Sequence, residues 1–334
     1  MKAYLSDSAL SEVDADLVAV TLFEGESLSG ALADTPGAND ASGDFKFTVT
    51  VFPGKPERVV LIGLGSREEF APERARVVGA LAHKALKASK GEALAFMLPE
   101  VDDAGAFAAA LIEGATFASF EFDRFKTGSD GKEAPPELKT IEIVSELDLA
   151  KEVAFGEAIA NAGNRARYLQ SLPANVATPE YLASRATEIA EAFEKVTVDV
   201  LDREGIISAG MGGLEAVAKG GEAVEPRLIT LRYTGRNGGE MLGLVGKSVT
   251  FDTGGISIKP SAGMHEMKMD MSGGAAVLEA VSAIAALNLE IDLIAVLPST
   301  ENMPSGTALK PGDIITQMNG KTVEVTNTDA EGRL

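Results

Sequence analysis

Between Ala15 and about Val144 the chain alternates short apolar runs with alanine-rich stretches of helical period, and few architectures accept that order. ADLVAVTLF, FKFTVTVF, RVVLIGLG, ALAFML and TIEIV read as strands, while PERARVVGALAHKALKAS and AGAFAAALIEGATFASF carry the 3.6-residue period of helices. The alternation predicts an α/β layer around a largely parallel sheet. The polar, Gly/Pro-rich segment KTGSDGKEAPPELKT is the most obvious exposed break in this half. A helix is expected from about Leu149 to Leu172, ended by Pro173. A second set of elements begins at ATPEYLASRATEIAEAF, where Thr178 before Pro179 and Glu180 marks a helix start.

Strands VTVDVLD, RLITLRYTG, MLGLVGKSVTF and IDLIAVLP follow, with the helix GGAAVLEAVSAIAAL between the last two. DIITQMNGKTVEVTNT reads as a hairpin turning at Asn319-Gly320. The expected layout is an N-terminal α/β domain over residues 1–147, a linker helix over 148–173 and a second α/β domain over 174–334.

Within the second domain, Gly246-Lys247-Ser248 has the ending of a phosphate-binding loop. Such a loop needs a glycine five places before Gly246, where Met241 stands, and a helix from the lysine onward, where VTF follows. The run is read instead as one buried strand carrying Lys247, with Asp252 at the start of a Gly-Gly turn. Gly63-Leu64-Gly65 follows a strand but lacks the third glycine of a dinucleotide loop, Glu68 standing there, so it reads as a tight turn. His83 is expected at a surface or half-buried helix position, and His265 in a solvated loop.

Composition narrows the chemistry. No cysteine occurs, which excludes thiolate sites and disulfides, and with two histidines any metal site must be built mainly from oxygen ligands. Fifty acidic against thirty basic residues give a formal charge of −20, which argues against a nucleic-acid partner. The N-terminus MKAYLSDSALSEVDADL carries acids where a signal peptide needs an apolar core, and no apolar run is expected to approach the length of a membrane span. A cytoplasmic protein without membrane attachment is the expectation.

Four segments place charged groups at strand ends or in the loops after them: GKSVTFDTGG (Lys247, Asp252), ISIKPSAGM (Lys259), EMKMDMSGGAA (Asp270) and NTDAEGRL (Asp329, Glu331, Arg333). Taken singly, Asp252 could shape a turn, Asp270 could cap the helix near Ser272, and Asp329 with Glu331 could end a strand in solvent. Taken together, four acids in three loops repel unless cations lie among them, and two divalent ions would serve. Asp329 and Glu331 point the same way if the chain is extended there, and Gly254, Gly255, Gly273 and Gly274 let backbone pass close to the ions.

In order and nearly letter for letter, these segments resemble the signature of the leucyl aminopeptidase family of two-metal exopeptidases, with NTDAEGRL as its hallmark octapeptide. TPEYLA and ENMPSGTALKPGDII also resemble that family. The resemblance implies an N-terminal α/β domain and an α/β zinc-exopeptidase-like catalytic domain, incomplete at its C-terminus because the chain stops directly after the octapeptide. It implies Lys247, Asp252, Asp270 and Glu331 as ligands of a tightly held metal, and Asp252, Asp329 and Glu331 as ligands of a more exchangeable one. Lys247 would have to be neutral to donate a lone pair.

Also implied are Lys259 as a protonated oxyanion stabiliser and Arg333 as a second catalytic residue holding a bicarbonate. The cofactors would be two divalent ions, Mn²⁺ or Zn²⁺, and the nucleophile a hydroxide shared by them. The reaction would be removal of the N-terminal residue, leucine or another apolar one, from peptides with a free N-terminus. The assembly would be a homo-hexamer when full length. An inactive binding or scaffold protein of the same fold is the alternative.

Overall fold

The computed structural model describes residues 1–127, 136–236 and 238–334. It divides into two compact units, Met1–Asn164 and Arg165–Leu334.

The first unit holds strands β1 (Lys2–Ser6), β2 (Leu17–Phe23), β3 (Thr48–Val51), β4 (Val59–Gly65), β5 (Ala93–Met97) and β6 (Thr140–Val144). Their order in the sheet is β1-β6-β5-β2-β4-β3, parallel throughout except for β3 against β4. Helix α1 (Gly30–Ala33) is a single turn, while α2 (Pro72–Ala88) and α3 (Ala104–Ala118) are the long helices. The central strands β2, β4 and β5 are apolar at nearly every position because both their faces are covered. Alternate residues such as Leu17, Ala19, Val60, Ile62, Leu94 and Phe96 pack with α2 and α3, while Val18, Val59, Leu61 and Ala95 join a second cluster on the opposite face.

Glycines let the two long helices approach closely. A Cβ on Gly114 would lie 1.9 Å from the Arg76 carbonyl oxygen, and one on Gly79 2.2 Å from that of Leu111. β1 lay unnoticed in the sequence, whose first expected strand starts at Ala15. Part of the expected break KTGSDGKEAPPELKT, residues 128–135, lies outside the described residues.

Two expectations need correction here. His83 is buried on α2 rather than at a surface or half-buried position, because that face of α2 packs into the core; burial lowers its pKa from the ordinary 6.5, with a smaller push from Lys87. Gly63-Leu64-Gly65 is not a tight turn but the end of β4, where the ladder to β2 slips by one residue between Leu22 and Phe23 and Gly65 takes positive φ. Each glycine answers to the chain packed on it, since a Cβ on Gly63 would sit 2.0 Å from the Asp44 carbonyl oxygen and one on Gly65 3.1 Å from Phe45 Cβ.

Helix α4 (Ala150–Ser171) follows, and the division between the units falls within it. In the second unit, α5 (Pro179–Ala192) starts where the sequence placed it, Thr178 Oγ1 accepting from the Tyr181 amide at 3.3 Å. After it come β7 (Val196–Leu201), α6 (Arg203–Ser208), α7 (Gly212–Ala218), β8 (Arg227–Thr234), β9 (Met241–Val245), β10 (Ser248–Asp252), α8 (Ser272–Ala286), β11 (Asp292–Asn302), β12 (Ile314–Thr316) and β13 (Thr322–Glu324). The sheet order is β10-β11-β8-β7, with β9 also paired to β11. β12 and β13 form the expected hairpin, with Gly320 at positive φ in its turn.

The run from Met241 to Phe251 is two strands rather than one buried strand. β9 runs parallel to the first half of β11 (Asp292–Val296) and β10 to its second half (Ser299–Asn302), with Gly246 and Lys247 between them. β9 is largely exposed, Val245 at 77%. The interruption exists because the start of α8 packs there: the Gly274 amide donates to the Lys247 carbonyl at 2.7 Å, and a Cβ on Gly246 would lie 2.7 Å from Gly274 Cα.

The helical stretch Met264–Ala286 is 23 residues long and apolar enough, by length and composition, to cross a membrane, which corrects the expectation that no run approaches that length. It consists of a 3-10 turn (Met264–Met269) followed by α8, and Glu266, Lys268 and Asp270 lie in its first part. α8 packs against β8, β9, β10 and β11, so its apolar face belongs to the core.

Candidate metal centre

Each of the four charged segments owes its place to a different element of the second unit. Asp252 ends β10 and is buried; its Oδ1 accepts from the Gly254 amide at 2.9 Å, a short turn closed by the side chain itself. Gly254 and Gly255 both take positive φ, which lets the chain reverse directly after the aspartate. Lys259 lies in the loop that follows, anchored through its amide to the Thr253 carbonyl at 2.8 Å.

Asp270 closes the 3-10 turn before α8. It does not cap that helix: Met271 is the N-cap residue, with no side-chain cap. Asp329 sits in a turn and Glu331 opens the last 3-10 turn, so the chain there is not extended, and the turn rather than an i, i+2 strand repeat brings the two acids together.

The carboxylates converge in two pairs, each bridged by an ammonium group. Lys247 Nζ is 2.6 Å from Glu331 Oε1 and 2.8 Å from Asp270 Oδ2. Lys259 Nζ is 3.0 Å from Asp252 Oδ2 and also contacts Asp329 Oδ1. Between the pairs stands Asn302, the last residue of β11, whose Nδ2 lies 2.9 Å from Asp252 Oδ1 and 3.3 Å from Glu331 Oε2. Oxygens of Asp252, Asp329 and Glu331 all lie within 4.8 Å of one another.

Gly332 leaves room for the lysine, since a Cβ there would be 3.1 to 3.2 Å from Lys247 Cδ, Cε and Nζ. Gly273 and Gly274 serve a different purpose from the one expected: their nearest neighbours are Lys247 and Ser248, so they let α8 approach the β9–β10 break. Arg333 is exposed in the terminal turn, and among the described residues it pairs with none of these acids. His265 is exposed in the 3-10 turn, as its solvated reading requires.

Electrostatics favour cations here. Four carboxylates against two ammonium groups leave a net negative cluster, and like charges 4 Å apart cost about 4 kcal/mol at an effective dielectric of about 20. Burial raises the Asp270 carboxyl pKa, and the nearby Lys247 offsets this only in part. Burial alone would lower the Lys247 pKa, but Asp270 and Glu331 outweigh it and hold the ammonium above the usual lysine range. Lys259 is raised further, Asp329 and Asp252 overcoming its burial.

Two buried oxygens, Asp270 Oδ2 and Asp329 Oδ1, have no hydrogen bond of proper geometry even though an ammonium is near each. Acidic oxygens that are buried, close together and incompletely satisfied fit a hard divalent cation.

Comparison with known proteins agrees with this arrangement. Residues 164–334 match the model of the cytosol aminopeptidase family, catalytic domain, and residues 16–129 that of the same family's N-terminal domain. The chain belongs to the cytosol aminopeptidase family. A probable cytosol aminopeptidase of Solibacter usitatus (strain Ellin6076) is 41% identical over all of this chain and 70% of its own length; one from Geobacter sp. (strain M21) is 42% identical over 91% of this chain and 62% of its own.

Among solved structures, the bottromycin maturation enzyme BotP in complex with Mn superposes with a TM-score of 0.82 at 31% identity, covering 96% of this chain and 67% of that one. A tomato leucine aminopeptidase mutant gives a TM-score of 0.80 at 29% identity, covering 100% and 69%. The chain thus spans about two thirds of the length of these relatives. Cytosol aminopeptidases are metal-dependent hydrolases of peptides, and the clustered acids lie wholly within the part matched to their catalytic domain.

Asn302 is a site residue the sequence reading missed. The strand leading to it was expected to end at Pro298, yet β11 continues for four more residues and Pro298 stays in register opposite Leu228 of β8. The available signal was STEN, a run of small and polar residues whose last two open the quoted ENMPSG segment.

Proposed function

We propose that this chain carries the metal site of an aminopeptidase that removes the N-terminal residue, leucine and other apolar residues included, from peptides with a free N-terminus. The observation that supports it is the convergence of Asp252, Asp329 and Glu331, three acids from two separate segments, with oxygens within 4.8 Å of one another. Lys247, Asp252, Asp270 and Glu331 would hold one Mn²⁺ or Zn²⁺, and Asp252, Asp329 and Glu331 a second. When bound, such a pair supplies Lewis acidity to the scissile carbonyl and lowers the pKa of a water.

The residues themselves do the rest. Asp252 and Glu331 are buried, so their carboxylates keep a fixed aim. Lys247 faces Asp270 and Glu331, whose charge keeps it protonated; with those acids engaged by a cation it would lose that support and would offer a lone pair. Lys259, which lies beside Asp252 and Asp329, would as an ammonium donate to negative charge developing on the substrate's carbonyl oxygen. Arg333 offers a planar fork of donors suited to bicarbonate. A cytoplasmic location and a hexameric assembly complete the reading, which follows the family.

Titration of the metal-stripped chain with Mn²⁺ is expected to show about two equivalents bound. Asp252→Asn, which weakens an acid shared by both sites, lowers the uptake. Leucine release from leucyl amide at saturating Mn²⁺ tests the reaction. Turnover that persists after chelation and in Asp270→Ala overturns the proposal.

A further inference from the structure

Asn302 bridges two acids of the cluster as each lysine does, yet it carries no charge. Its Nδ2 reaches three acceptors: Asp252 Oδ1 at 2.9 Å, the Thr328 carbonyl at 3.0 Å and Glu331 Oε2 at 3.3 Å. All three are oxygens that only accept, so the amide must present its nitrogen to them, and the orientation is fixed by chemistry. An NH₂ group has two hydrogens, so the longest contact, to Glu331, shares one.

The residue is 4% exposed and held from every side. Its carbonyl accepts from the Thr253 amide at 3.0 Å and from Thr253 Oγ1 at 2.8 Å, which locks the backbone to the end of β10. On the opposite side of the amide, a Cβ on Gly255 would lie 2.7 Å from Asn302 Oδ1, so a glycine is what allows the amide to sit there. Thr328, to which the amide is tied, in turn donates its hydroxyl to the Gly254 carbonyl at 2.6 Å and accepts from the Ser257 amide at 2.8 Å. Asn302 therefore joins the end of β10, which bears Asp252, to the turn that bears Asp329 and Glu331, and Thr328 ties the loop after β10 to the same point.

We infer that Asn302 is a positioning residue that sets the spacing of Asp252 and Glu331 for cation binding, an inference that rests on the metal-site reading above. The chemistry of the amide is what suits it to this place. It occupies one oxygen of each acid and leaves the others, Asp252 Oδ2 and Glu331 Oε1, facing the lysines and the centre of the cluster. A lysine or arginine in its place would hold the same oxygens but neutralise the charge that attracts a cation, and an aspartate would add repulsion and remove the donor. Outer groups that orient ligands in this way typically change metal affinity about 10- to 100-fold when removed.

The test is calorimetric titration of the metal-stripped chain with Mn²⁺, alongside circular dichroism and thermal unfolding in EDTA. Asn302→Ala is expected to bind Mn²⁺ about 10- to 100-fold more weakly. Where a measurable rate exists, raising Mn²⁺ restores kcat and leaves KM for leucyl amide unchanged. Ser299→Ala, at a buried position three residues earlier on β11 and outside the cluster, is expected to bind as the parent does. Should Asn302→Ala not fold, Asn302→Ser keeps one hydroxyl donor, which cannot bridge two carboxylates, and is expected to weaken Mn²⁺ binding in the same direction.

Parent-like Mn²⁺ affinity in a folded Asn302 variant overturns the inference while leaving the metal site standing, as does an equal loss in Ser299→Ala. Failure of the parent chain to bind Mn²⁺ overturns the metal-site reading itself.

Discussion

Glu301 and Asn302 are neighbours on β11 with opposite fates. Asn302 spends its amide on the cluster, whereas the Glu301 carboxyl is half-buried and, among the described residues, has no ion pair. Burial raises its pKa above the usual 4.5. A group raised on folding contributes stability that is fully present below its unfolded pKa and is lost as pH rises through the folded one. At neutral pH the folded chain therefore bears the cost of a poorly solvated charge that glutamine would not carry. Glu301→Gln is expected to raise the melting temperature at pH 7, with the gain shrinking to nothing as pH falls toward 4; thermal unfolding across that range checks it. His83 works with the opposite sign, since its lowered pKa means stability is lost as pH falls below 6.5.

The start of α8 meets the β9–β10 break through glycines rather than through side chains. α8 reaches the β9–β10 break because a Cβ on Gly274 would fall 1.9 Å from Ser248 Oγ and 3.0 Å from its Cβ. Both Ser248 and the glycine are buried, so neither can step aside into solvent. Gly274→Ala is expected to cost about 1 to 3 kcal/mol through overpacking and, by lifting the start of α8, to displace Asp270 and weaken Mn²⁺ binding. Denaturant melts paired with a Mn²⁺ titration test both.

This packing also explains what could be read from the letters alone. Strands such as RVVLIGLG and caps such as Thr178-Pro179 were legible because periodicity and capping are local properties. The acids at 252, 270, 329 and 331 were legible as a group because like charges need a common partner. The split of MLGLVGKSVTF was not legible, because the break is imposed by a helix 25 residues further on. Neither was Asn302, because Pro298 has the look of a strand end and it is the parallel ladder to β10 that carries β11 on to Asn302.

Over the whole molecule, cation binding belongs to one unit. Every proposed ligand lies in Arg165–Leu334, while Met1–Asn164 has its own core of β2, β4, β5, α2 and α3. A ligand that binds only the folded state stabilises by about 2.7 kcal/mol at a hundred times its Kd. Differential scanning calorimetry with and without Mn²⁺ is expected to raise the melting of the second unit and leave that of the first in place; a uniform shift of a single transition would show that the two melt together.

β11 gives the second unit its particular vulnerability. One strand templates β9 along its first half and β10 along its second, then supplies the amide that spaces two of the acids. Inserting or deleting one residue before Ser299 would invert which side of the sheet Asn302 faces and shift β10 out of step with the turn at 328–331. Mutational drift can rewrite the outer face of β9 freely, but the length of this strand is fixed by the chemistry at its end.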